Sequence, residues 1–131
     1  MSGREDTGFR NNLALSRACR EVEGLRHIDV DMVQWCKDCL QPELFIEATS
    51  ASGYKQTRVT RIIASHCNAP TMLLKHSFND ADHEYEVSIY IWEPGRLGRF
   101  DEPDRELLNV PWSKLQEILT WFHKQHECEK S

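Results

Sequence analysis

The stretch His27–Lys55, HIDVDMVQWCKDCLQPELFIEATSASGYK, decides how this chain reads. Two runs in it alternate with the two-residue period of half-buried strands. Ile28, Val30 and Met32 share one face of the first, and Leu44, Ile46 and Ala48 share one face of the second. The opposite faces carry Asp29, Asp31, Glu47 and Thr49. Carboxylates on middle strands of a small domain are costly to bury unless a metal ion, a hydrogen-bond network or a substrate compensates them. A turn joining Trp35 to Leu44 sets Asp31 near Glu47, with Asp29 as the other acid of the first run. These acids are a candidate site.

Upstream, Leu15, Ala18, Cys19, Val22 and Leu25 recur at helical spacing, which predicts a helix from about Phe9 to Glu23 with Gly24 as its stop. Downstream, Ser52 is placed to cap a second helix of about 14 residues, with Val59, Ile62 and Ile63 facing inward and Lys55, Arg58 and Arg61 projecting elsewhere. The strands APTMLLKH and EYEVSIYIW then form a hairpin across the turn-prone FNDADH. Residues 93–106 are rich in Gly, Pro and charge and read as a surface loop with the character of a mobile flap. Pro111 suits the first turn of a last helix, whose stripe is Trp112, Leu115, Leu119 and Phe122. The expected order is αββαββα, an α+β fold (an α/β sandwich) with a central sheet of about four strands flanked by helices. One domain over 1–131 is expected, with 1–8 flexible.

With 40% apolar residues, no apolar run of membrane-spanning length and no signal-peptide core in MSGREDTGFR, the expectation is a cytoplasmic protein with no membrane association. Its five cysteines are an odd number without a secretion signal, which points to reduced thiols rather than a disulfide framework. A net charge of −5 argues against nucleic-acid binding over the whole surface, yet Lys55, Arg58 and Arg61 can form a local basic wall beside the acids. The sequence contains no G-x-S-x-G elbow, phosphate-binding loop or dinucleotide fingerprint.

Strand acids followed by a basic helix resemble the PD-(D/E)XK nuclease superfamily, in which a strand bearing Asp and a hairpin-linked strand bearing Glu-x-Lys precede a helix. The resemblance covers about Phe9 to Leu74. It implies a restriction-endonuclease-like fold, with Asp31 (or Asp29) and Glu47 as ligands for Mg²⁺ or Mn²⁺ and an acid from the opening helix, Glu21 or Glu23, as a helper. Thr49 stands where that family has its lysine, so the role passes to Lys55. The implied activity is metal-dependent cleavage of DNA or RNA. The alternative is a catalytically inactive, nuclease-like binding or regulatory module, zinc-stabilised and acting through nucleic acid or a protein partner. Strand acids that simply face solvent or pair with Arg58 and Arg61 are the structural reading.

Cys36-Lys37-Asp38-Cys39 supplies two thiolates with the bite that zinc needs, and a structural site needs two more ligands. A 14-residue helix running back beside its strand returns His66 and Cys67 to the same pole. The expected Zn²⁺ set is therefore Cys36, Cys39 and Cys67, with His66 or His27 fourth. Trp35-Cys36-x-x-Cys39 also resembles the thioredoxin motif, but Pro42 and an apolar alternation follow it where that fold needs a helix.

Overall fold

The computed structural model describes residues 30–79, 81, 84–126 and 128. The helix expected over 9–23, Asp29, His27, Glu21 and Glu23 lie outside the described residues. Among the described residues, five strands form one sheet in the order β1 (Met32–Trp35), β2 (Pro42–Ser50), β3 (Thr71–Asn79), β4 (Glu84–Trp92), β5 (Arg105–Pro111). Only β2 and β3 run parallel, and α1 (Arg58–His66) provides their crossover. After β5, a 3₁₀ turn (Trp112–Lys114) leads into α2 (Leu115–Gln125). The result is a mixed α+β fold, a several-stranded sheet flanked by two helices.

The period of two along β2 sorts its side chains between two cores. Leu44 and Ile46 point to the larger, where they meet Met72, Val87, Ile89 and Phe122 under α2. Phe45 points the other way, to Ala64 and Ala69 under α1. Glu47 follows Phe45 onto the α1 face and is fully buried.

Several expectations are corrected. The sheet has five strands, not about four, because RELLNVP lacks a clean alternation. A register break opposite Ser88 and a left-handed Asn109 (φ 54°) make β5 a bulged edge strand. Pro111 accordingly ends that strand instead of opening a helix, and Trp112, expected in the core, is 50% exposed.

α1 starts at Arg58, not near Ser52, since 51–57 remain non-helical and carry Lys55 to the strand acids. Gly53 fits this tight passage: a Cβ there would stand 2.4 Å from Thr49 Oγ1. The helix also has the opposite phase. Thr60, Arg61 and Ala64 are buried, while Val59 and Ile63 are exposed. Buried acceptors explain the inversion, because each one lacking a donor costs about 1–3 kcal/mol. Thr60 Oγ1 donates to Glu47 Oε1 (2.9 Å), and Arg61 Nη1 donates to the carbonyls of Arg96 (2.6 Å) and Gly98 (2.9 Å). The Arg61 guanidinium also lies over Trp92, 5.3 Å from the ring centroid.

The surface loop after β4 is tied down, in contrast to a mobile flap. Besides Arg61, Arg58 Nε donates to Leu97 O, Gly95 N to Ser65 Oγ and Trp92 Nε1 to Asp101 O. Arg96 pairs with Asp104 at 2.8 Å.

Candidate metal centre

The turn after β1 is closed by Cys36 N donating to Gln41 O (2.9 Å) and Leu40 N donating to Cys36 O (2.8 Å). Leu40 takes φ 63°, a left-handed conformation rare for a branched side chain. This winding aims the backbone N–H groups of Cys39 and Asp38 at the Cys36 sulfur, which brings its thiol down to about 7, toward the thiolate that metals bind.

The chain after α2 returns to this turn. His126 Nε2 stands 3.1 Å from Cys39 Sγ, and Cys128 Sγ stands 3.6 Å from Cys36 Sγ. One ligand atom from each of Cys36, Cys39, His126 and Cys128 lies within 4.8 Å of all the others. Zn–S and Zn–N bonds of about 2.3 and 2.0 Å imply ligand separations of about 3.6–3.8 Å around a tetrahedral ion, so this cluster fits one with little adjustment. Three sulfurs and an imidazole suit zinc and do not suit Mg²⁺, which requires oxygen.

A polar network centred on the buried Glu43 carboxylate fixes α2 beside the cluster. Glu43, its side chain 1% exposed, accepts from His123 Nδ1 (2.6 Å) and Gln34 Nε2 (2.9 Å), and Gln34 Nε2 also donates to Leu119 O. The hydrogen bond to Glu43, with that carboxylate's charge, raises the His123 pKa above its ordinary 6.5. The sign follows from a raised folded pKa. This contact stabilises fully below about 6.5 and is lost as pH rises through the folded value. Urea unfolding from pH 6 upward should show stability declining in the wild type and a flatter profile in His123→Gln; parallel profiles would deny His123 the role.

This cluster differs in composition from the expected zinc set. Cys36 and Cys39 belong to it, whereas His66 and Cys67 do not. Cys67 does reach the same pole, where its carbonyl accepts from Gln41 Nε2 (3.2 Å), but α1 packs on the sheet face opposite α2. The missed pair, His126-x-Cys128, was visible as a second two-ligand spacing in the sequence. Nothing local linked it to a turn more than eighty residues earlier.

At the acid site the structure brings Asp31, Glu47 and Lys55 together. Lys55 Nζ contacts Asp31 Oδ2 and lies 2.9 Å from Glu47 Oε2, while the backbone N–H of Ala48 donates to Asp31 Oδ2 (2.8 Å). The Glu47 contact is an ion pair without hydrogen-bond alignment, which leaves Oε2 with charge compensation alone. Lys55, ahead of the Ala48 N–H, holds the Asp31 pKa below its ordinary value. Burial pulls the Lys55 pKa down, but its contacts with the Asp31 and Glu47 carboxylates outweigh that and leave it raised.

The expected Mg²⁺- or Mn²⁺-dependent nuclease is overturned by this arrangement. Among the described residues the metal-ligating cluster is Cys₃His, far in character from a hard-oxygen site, and the two strand acids are compensated by a lysine. The three residues expected to form a basic wall for nucleic acid do not share one exposed environment. Arg61 is buried, Lys55 is spent on carboxylates, and Arg58 alone of the three is exposed.

No helix among the described residues is long and apolar enough to cross a membrane. No family model matches the sequence, and no curated protein or solved structure matches it significantly.

Proposed function

We propose that this chain is a zinc-stabilised, non-catalytic binding module on a nuclease-like scaffold, with Cys36, Cys39, His126 and Cys128 holding one structural Zn²⁺. The observation that carries the reading is the mutual approach of those four ligand atoms to within 4.8 Å. Four protein ligands complete a tetrahedral shell and leave no position for water or substrate, which makes the site structural. The scaffold assignment is supported by the acid-bearing hairpin β1–β2, by its parallel partner β3 reached through α1, and by Lys55 beside Glu47. On such a scaffold the lysine closes the acid site.

A protein is favoured as the partner. The chain is net negative, its basic cluster is mostly consumed internally, and Trp112, Trp121 and Phe100 are 50%, 41% and 86% exposed. The test is elemental analysis of purified protein. About one zinc per chain is expected, lost in Cys39→Ser and Cys128→Ser and kept in His66→Ala and Cys67→Ser. Zinc that depends on Cys67 rather than Cys128 would sink this ligand assignment.

A further inference from the structure

The Cys36 and Cys128 sulfurs approach to 3.6 Å, and the two residues differ in access: Cys36 is 1% exposed, whereas Cys128 is half-buried. Cys39 and His126 also form part of the wall of a cavity of about 750 Å³, together with Cys67, Arg105 and Trp121. A solute entering that cavity therefore meets two of the four ligands, Cys39 and His126, while Cys128 is reached through its own half-buried surface. We propose that the metal centre is a peroxide-responsive thiol switch in which Cys128 and Cys36 join as a disulfide and the zinc is ejected. This rests on the zinc reading above and assigns that site its regulation.

The chemistry balances. The Cys128 thiolate, the more accessible of the pair, attacks one oxygen of hydrogen peroxide, breaking the O–O bond to give a sulfenic acid and hydroxide. The Cys36 thiolate attacks that sulfur, forming the S–S bond and expelling a second hydroxide. Two protons from solvent convert both hydroxides to water, and two electrons pass from the sulfurs to peroxide. Zinc, left with Cys39 and His126 alone, dissociates.

The pairing has a structural consequence that a Cys36–Cys39 disulfide would lack. His126 and Cys128 supply half of the ligands, and His126 follows directly on α2. A Cys36–Cys128 bond keeps that end tethered to the β1–β2 turn after the metal leaves, while freeing Cys39 and His126 on the cavity wall. Oxidation thus changes the cavity and preserves the fold.

The experiment treats zinc-loaded full-length protein with hydrogen peroxide, follows zinc with a chromogenic chelator, and maps disulfides by mass spectrometry without reduction. The expected result is one zinc released per Cys36–Cys128 cross-link, reversed by dithiothreitol and added zinc, with the same yield in Cys67→Ser. Circular dichroism should show secondary structure retained. A Cys36–Cys39 or Cys67 cross-link would overturn the proposal, as would metal retained through peroxide treatment; either leaves the zinc reading standing. Protein that neither contains nor takes up zinc would overturn both.

Discussion

Stripping the metal is expected to lower the melting temperature by about 12–16 °C. A ligand held at a thousandfold excess over its dissociation constant contributes about 4 kcal/mol to the folded state, and each kcal/mol moves the midpoint of a domain this size by about 3–4 °C. The physical source is the joining of two distant segments. The β1–β2 turn and the chain after α2 meet through Cys36, Cys39, His126 and Cys128, close to the His123–Glu43 and Gln34–Leu119 contacts that seat α2 on the sheet. Without the ion, thiols and imidazole lose their common partner and the end of α2 is left to Phe122, the Arg105–Trp121 contact and that polar network. Differential scanning calorimetry with and without a chelator measures the effect, and Cys36→Ser should already melt near the chelated wild type. An unchanged midpoint on metal removal would rule out a structural role. Acid should loosen the site too, since ligands must shed protons to bind.

Replacing Lys55 by Met is expected to cost about 3 kcal/mol, the low end for breaking a buried ion pair, because Lys55 keeps 30% side-chain exposure while Glu47 keeps 1%. Glu47 would retain Thr60 as a hydrogen-bond donor but have no cation, and Asp31 would retain only the Ala48 N–H. Adding Glu47→Gln to Lys55→Met should recover much of the loss, since it removes the orphaned charge without changing shape. Chemical denaturation of the two single variants and the double variant closes the cycle. Additive losses would show that Lys55 and Glu47 do not act together. The pH dependence has a definite sign. Asp31's folded pKa lies below its ordinary value, so its share of stability is present above pH 3.8 and disappears as pH falls through the folded value. Lys55→Met should flatten that acid limb.

The periodicity of β2, β3 and β4 was legible because each places apolar residues on a buried face, and a two-residue repeat survives any tertiary arrangement. The approach of Asp31 to Glu47 followed from a short hairpin, in which strand register is set by the turn. Cys36-x-x-Cys39 announced half a metal site for the same reason: its geometry is local.

What failed to read was everything decided by a distant partner. Val59, Ile62 and Ile63 form an apolar helical stripe, yet Thr60 and Arg61 turn inward because Glu47 and the carbonyls of Arg96 and Gly98 need donors there. β5 was hidden because an edge strand with a bulge buries too little on either face to impose an alternation. His126 and Cys128 reached the cysteine turn only because α2 crosses the sheet face that His66 and Cys67 do not share. Sequence by itself determined the strands and the acid and cysteine pairs, whose members are neighbours along the chain or across one turn. The tertiary structure alone decided which charges were neutralised and which ligands met, because burial and coordination depend on groups that the chain brings together from far apart.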